Sequence, residues 1–446
     1  MKISFVYPGI SGVGFNSYGK SHESSWISHG LTILSSCVKK EGHEAGLIDL
    51  RKLRGWNHFE NIVKREAPEV LAVSMMSVDY NPALKSIDLA KNINGNIITA
   101  VGGPHPSIMP EELEPNRNID HIFLGEGEIS FPCFLRDITE KKKPKRIIKG
   151  IKPDLDDIPF ADRELFGAFE KPIYKKFHSP FVTVIAGRGC IYNCNFCQPA
   201  ERIIFGREVR IRSVDNVMWE LIFLREKYGF KSLMLHDDCL LEDVNWVEEF
   251  CEKYKTHGFN QPFICQSRAD LICRNEELIR KMKDSGLKIL IIGFESGSQR
   301  VLNFLRKGTK VEHNYKAAEI CRRHGIKIWA NYMMGIPTET KDEVMETAEM
   351  IRKIKPDFCS PAFYTPHPGS DLYEYCIKNN LSLITSHDGF RRNPTEPKIK
   401  GVDYNFLNNA VLESRRFTPW MRFRASAIGR IIVPAVKKML KIFGLR

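Results

Sequence analysis

No apolar run in these 446 residues reaches the ~18 that a membrane-spanning helix needs. The amino terminus, MKISFVYPGISG, reads as a strand entering a glycine loop rather than as a secretory signal. Both absences predict a cytoplasmic chain, where cysteines stay reduced and serve metals or redox chemistry rather than disulfides. Acidic residues are missing from Ser414 to Arg446, a stretch that holds nine Lys or Arg. Much of the net charge of +12 therefore sits in this tail, and the rest of the chain is nearly neutral. Composition gives disorder, collagen and coiled coil no support, with 43% hydrophobic, 10% aromatic and 27% charged residues. At ~100 to 200 residues per domain, the length implies two or three domains.

What is present is a regular alternation. Strand-like runs at Lys2–Pro8, Ala45–Leu50, Val70–Met76, Asn96–Gly103 and His121–Gly127 are separated by amphipathic stretches such as Leu31–Glu41 and Leu84–Asn94. This predicts an α/β fold opening on a doubly wound, Rossmann-like domain over residues 1–140, with ligands beyond the carboxyl ends of its strands. Small residues at those ends, Ser74, Ser77, Gly102, Gly103, Gly125 and Gly127, together with Glu126, are candidate cofactor contacts. A basic, proline-containing stretch opens an expected linker over residues 141–180. Six strand candidates follow, Phe181–Ala186, Ser232–His236, Phe263–Gln266, Ile289–Gly293, Ile326–Tyr332 and Phe358–Phe363, with helices between them. They predict a (β/α)6 partial barrel over residues 181–370 with its chemistry on the loops after the strands. A small, mostly helical region with a basic amphipathic tail completes the chain over 371–446.

After the first of these strands stands Gly187-Arg188-Gly189-Cys190-Ile191-Tyr192-Asn193-Cys194-Asn195-Phe196-Cys197, a C-x3-C-x2-C triplet. Zinc needs a fourth ligand, and no C-x2-C or H-x3-H partner pair appears elsewhere in the sequence to supply one. Three thiolates suit three corners of an iron-sulfur cube, whose open iron can bind an amine and a carboxylate. The remaining cysteines are scattered and read as small core residues, with Cys239 and Cys265 near strand ends.

The triplet, with Phe196 before its last cysteine on the first loop of a βα barrel, resembles the radical S-adenosylmethionine superfamily. The resemblance implies that Cys190, Cys194 and Cys197 ligate a [4Fe-4S] cluster, that S-adenosylmethionine chelates the open iron, and that reductive cleavage yields a 5'-deoxyadenosyl radical. It also implies cofactor contacts at later strand ends: Arg268 on the methionine carboxylate, Glu295 near the ribose, and the backbone around Gly335 and Pro337 near adenine. Asp237-Asp238 resembles an acidic pair frequent in the superfamily and equally fits a helix cap. An electron donor such as ferredoxin or flavodoxin is the implied partner.

The amino-terminal domain, with its GGPHP and LGEGE strand ends, resembles the cobalamin-binding domain of the cobalamin-dependent members, class B methyltransferases in type. No histidine lies in a D-x-H-x-x-G pattern, so the cobalamin is expected base-off without a histidine ligand. The resemblance over Met1–Ser370 implies a C-methyltransferase acting from methylcobalamin on an unactivated carbon of a protein side chain, such as in methyl-coenzyme M reductase, a lipid or a natural product. A cobalamin-dependent cyclase or rearrangement enzyme, and a cobalamin-binding redox sensor, are the rival readings. The tail from Arg415 fits a peripheral membrane contact, an acidic partner or a helix packed on the barrel. Nucleic acid is not expected, since no RNA-binding module is recognisable.

Overall fold

The computed structural model describes residues 1–20, 25–167, 169–172, 174, 176–197, 201–238, 240–392, 396–417, 428 and 431–432. Strands β1 (Lys2–Tyr7), β2 (Glu44–Asp49), β3 (Val70–Ser74), β4 (Ile98–Gly102), β5 (His121–Leu124) and β6 (Ile147–Lys149) form one parallel sheet in the order β2-β1-β3-β4-β5-β6. The chain reverses direction about β1, which opens a crevice at the carboxyl ends of β1 and β3. Alternation along β1 feeds both faces. Ile3 and Phe5 pack with the helices His29–Lys40 and Ser130–Thr139, whereas Val6 packs with the helices Trp56–Glu66 and Tyr80–Ile93.

The second sheet is also parallel. After β7 (Phe181–Val184) a two-residue pair, β8 (Gly187–Arg188) and β9 (Arg210–Ile211), brackets the cysteine loop. The sheet continues through β10 (Ser232–Leu235), β11 (Phe263–Arg268), β12 (Leu287–Glu295), β13 (Lys327–Met334) and β14 (Phe358–Phe363), in the order β14-β13-β12-β11-β10-β7. Alternate residues such as Val182, Leu233, Cys265 and Leu290 pack outward against the helices; Phe181, Met234, Ile264 and Ile289 pack on the other face with Trp26, Tyr174 and Phe177. This is the six-unit partial barrel read from the sequence. Cys265 is one of its core residues and Cys239 lies outside the described residues.

The stretch expected as a linker differs from that reading. Ile147–Lys149 pairs with β5 as the edge strand β6, so the first sheet extends past residue 140. Lysine and arginine around an Ile-Ile pair mask an edge strand as a charged linker. Beyond the barrel, the helix Asp371–Lys378 follows a side-chain cap by Ser370, and the helix Tyr404–Ser414 lies on the helix Lys341–Ile354. Tyr332 Oη and Ser414 Oγ are 2.7 Å apart, and Arg415 donates to the Cys359 carbonyl at 3.1 Å. From 418 onward the amphipathic tail, apart from positions 428, 431 and 432, is outside the described residues. No described helix is long and apolar enough to cross a membrane.

Gly150 shows how tightly the edge strand is seated. A Cβ there would stand 2.3 Å from the Glu126 carbonyl oxygen and 2.5 Å from its nitrogen, backbone atoms with no room to give. Gly150→Ala is expected to destabilise the first domain by ~1–3 kcal/mol through overpacking. A lowered first transition in a thermal scan, with the barrel transition unchanged, is the check.

Candidate active site

The cysteine loop owes its shape to backbone constraints on both sides. Gly189 has φ +94°, and a Cβ on it would lie 2.3 Å from the Glu208 carbonyl oxygen, so glycine is required where β8 and β9 meet. Buried Asn195 then pins the middle of the loop. Its N–H donates to the Leu305 carbonyl at 3.1 Å and its Nδ2 to the Phe304 carbonyl at 2.7 Å, while its own carbonyl accepts from Leu372 at 2.9 Å. Cys194 is buried, Cys190 is partly buried and Cys197 is exposed. The three thiols are close enough to influence one another's ionisation.

Cations surround this sulfur set. Arg268 Nη1 is 3.9 Å from Cys194 Sγ, with its guanidinium 3.5 Å from the centre of the Tyr192 ring. Burial pushes the Cys194 thiol up, while Lys307 and Arg268 pull it down. Lys307 is itself buried and donates to Glu295 Oε1 at 2.8 Å. Burial opposes its charge, but Glu295 and Cys194 more than compensate, so the ammonium is held. Glu295 sits at φ +60°, and Gly293 leaves the space this pair fills, since a Cβ there would be 2.5 Å from Glu295 Oε1. Three thiolates flanked by two fixed cations fit an iron-sulfur cube, because buried Arg268 and Lys307 offset its negative charge on the Cys194 side, where water is scarce.

The other residues expected around S-adenosylmethionine have partners already. Arg268 donates to Asp270 Oδ1 at 3.0 Å and to the Lys307 carbonyl at 2.7 Å. The Gly335 N–H, expected to read adenine, donates to Glu339 Oε2 at 2.7 Å. Gly335 has φ +77°, and a Cβ on it would meet Leu407 at 2.7 Å, so packing of the helix Tyr404–Ser414 also demands glycine. Pro337 is buried beside it. Asp237 does not cap a helix; Asp243 does that for Val244–Thr256. Instead Asp237 Oδ1 accepts from the Ala186 N–H at 2.9 Å and from that of Gly187, fixing the backbone that leads to the cysteines.

Between the strand ends of the two sheets lies a cavity of about 550 Å³. Ser74, Gly102, Gly103, Gly125, Glu126 and Gly127 wall it from the first domain, and Gly187, Arg188, His236 and Asp238 from the barrel. Apolar side chains on one face of the first sheet, Phe5, Ala72, Ala100 and Phe123, extend it beneath Leu31 and Leu34. Leu155, Ile158 and Phe160, from the expected linker, close one side. Ser77 is not in this wall, because its hydroxyl lies 3.1 Å from His105 Nδ1. Glu126 lines the cavity but its carboxylate is taken: it accepts from Arg188 and Arg210, and Glu128 accepts from Arg188 at 2.6 Å. Glycines at 102, 103 and 125 leave the sheet side bare, and the apolar extension suits a flat aromatic base, so these residues fit cobalamin.

The comparisons agree with the geometry. Residues 18–135 match the B12 binding domain and residues 184–351 the radical SAM superfamily. The chain belongs to the B12-binding radical S-adenosylmethionine enzymes. An uncharacterised methyltransferase of Pyrococcus horikoshii is 29% identical over 371 residues, 79% of each chain. An anaerobic magnesium-protoporphyrin IX monomethyl ester cyclase of Rubrivivax gelatinosus is 24% identical over 399 residues, 84% of this chain and 70% of its own. The solved cobalamin-dependent S-adenosylmethionine radical enzyme OxsB, with aqua-cobalamin and S-adenosylmethionine bound, shares the fold at a TM-score of 0.71 and 16% identity, over 99% of this chain and 75% of its own. The family carries a [4Fe-4S] cluster, S-adenosylmethionine and cobalamin.

Lys307, Arg188 and Tyr192 were not picked out from the sequence. Only Arg188, inside the GRGC run, carried a local signal; Lys307 is brought to the cluster by a turn more than a hundred residues later. Replacing Cys190, Cys194 and Cys197 together by Ala is expected to abolish iron loading on anaerobic reconstitution while leaving cobalamin bound; iron content equal to the parent contradicts the ligand assignment. Asp237 tests the electrostatics. Burial pushes its carboxyl up to about 7 despite the two backbone donors. A raised carboxyl costs stability as pH climbs from its unfolded value towards 7. Asp237→Asn is expected to remove that decline, so wild type and variant melting temperatures should diverge above pH 5 in the variant's favour.

Proposed function

We propose that the enzyme is a C-methyltransferase that delivers a methyl group by way of cobalamin to an unactivated carbon. The observation that carries this is the single cavity joining the cobalamin-domain strand ends to the barrel strand ends beside the cysteine loop: Arg188, in its wall, is two residues from Cys190. When bound, the cluster with S-adenosylmethionine supplies hydrogen abstraction, and cobalamin supplies a transferable methyl group. Cys190, Cys194 and Cys197 hold the cluster, and Arg268 and Lys307 balance its charge. Glu295 keeps Lys307 protonated, and Asp237 holds the strand end that aims the loop. Apolar side chains around the cavity exclude water from a reactive carbon centre. The substrate, a protein side chain, a lipid or a natural product, enters this cavity, and a ferredoxin or flavodoxin donates the electron.

Phe5, Phe123 and Leu34 would hold the apolar tail of a cobalamin bound here, and with no D-x-H-x-x-G histidine in the sequence it would be bound base-off. Two histidines line the cavity, but His29 Nε2 is 2.7 Å from Thr183 Oγ1, and the His236 ring lies 5.1 Å from the Trp26 ring. Paramagnetic resonance of the cob(II) form is expected to lack nitrogen superhyperfine splitting; splitting that vanishes in His29→Ala or His236→Ala overturns this arrangement.

Methyl transfer is tested with methyl-deuterated S-adenosylmethionine, a low-potential reductant and fractionated host extract. S-adenosylhomocysteine and 5'-deoxyadenosine are expected together, with label in one product. Release of 5'-deoxyadenosine alone, with no label transferred, marks cyclase-type chemistry and overturns the reading.

A further inference from the structure

A second cluster of ligand-type side chains lies apart from the cysteines. His105 follows β4 in the GGPHP run, Glu112 ends the 3-10 turn Pro110–Glu112, and His387 opens the turn His387–Phe390 in the carboxyl-terminal region. His387 Nε2 is 2.7 Å from Glu112 Oε2, and His105 Nε2 is 3.5 Å from the same oxygen. One ligand atom from each residue lies within 4.8 Å of the others. We propose that His105, Glu112 and His387 bind a zinc ion that fastens the carboxyl-terminal region to the cobalamin domain.

Three features separate this cluster from an ordinary hydrogen-bonded group. First, the His105 side chain is fully buried, yet its Nε2 has no hydrogen-bond partner among the described residues. A buried imidazole nitrogen left so keeps its desolvation penalty, a loss that a bound metal recovers. Second, His105 Nδ1 lies 3.1 Å from Ser77 Oγ, so donation to the hydroxyl leaves the Nε2 lone pair aimed at the cluster. Metal-binding histidines are oriented in this way by a partner on the far nitrogen. Third, Tyr80 fixes both rings: it stacks on His387 at 3.8 Å and meets His105 edge-on at 5.1 Å. Two imidazoles and a carboxylate are a nitrogen and oxygen set suited to zinc, with a fourth position left for water. Ligand atoms around tetrahedral zinc stand roughly 3.3–3.5 Å apart at bonds of ~2.0–2.2 Å, a spacing reached here by small rotations.

The consequence is a cross-link between residues 105 and 387, far apart in the chain. His105 stands at the strand end whose Gly102 and Gly103 wall the cavity, so the ion ties the carboxyl-terminal region to the rim of the cobalamin site.

The test uses the full chain with its iron-sulfur cluster reconstituted, so that the cysteines are occupied. After addition of one equivalent of zinc sulfate and desalting, the parent is expected to retain stoichiometric zinc, with only nitrogen and oxygen scatterers at the zinc K-edge. His387→Ala and the shape-conserving Glu112→Gln should lose the zinc while iron and cobalamin loading stay at the parent level. Ser77→Ala should weaken zinc binding ~10–100-fold by freeing the ring of its orienting partner. Sulfur scatterers, equal retention by both variants, or no retention by the parent each overturn the site.

Discussion

Arg188 reaches across the molecule to Glu126 and Glu128, and Glu126 also takes Arg210. These charges are largely withdrawn from water, with the Glu126 side chain 1% exposed and that of Arg188 13%. Removing one partner from such a set strands the other, a cost of ~3–5 kcal/mol, so the arrangement holds one relative placement of the two sheets. Because Glu126 follows β5 and Arg188 lies on β8, the clamp joins the carboxyl end of the cobalamin-domain sheet to the carboxyl end of the barrel's first strand. Both ends then face one cavity, so the cobalamin domain and the cysteine loop border the same space.

The cysteine loop depends on that clamp and on a second set of restraints. Arg188 and Arg210 lie on the β8–β9 pair that frames the loop, and Asp237 holds the backbone just before it. Asn195 ties its middle to residues 304, 305 and 372, which makes the start of the carboxyl-terminal region part of the cluster's support. Lys307 and Arg268 approach from other barrel units, so the charge balance of the cluster is assembled from distant segments.

The two parallel sheets explain why glycines recur where they do. At Gly150 and Gly189, backbone of another segment passes within 2.3 Å of where a Cβ would stand. At Gly293 the obstacle is the Lys307–Glu295 pair, and at Gly335 it is the helix Tyr404–Ser414. Glycines singled out as ligand contacts therefore divide into two kinds. Gly102, Gly103, Gly125 and Gly127 border the cavity, whereas Gly335 serves packing.

The sequence alone determined the two-sheet architecture, because short, near-continuous apolar runs separated by helical stretches admit few arrangements other than parallel sheets. It also determined the cysteine triplet, whose spacing is local and needs no tertiary information. The tertiary structure decided the rest. Ile147–Lys149 became a strand because pairing with β5 satisfies its backbone, although its flanking charges read as a linker. Glu126 became half of an interdomain clamp, and Ser77 turned to His105, because a side chain's partner depends on what the fold brings opposite it. Lys307 and His387 acquired their roles in the same way. Neither carries a local pattern, since electrostatic and ligand contacts depend on distance in space, and spacing along the chain records only the contacts made within one loop or one turn.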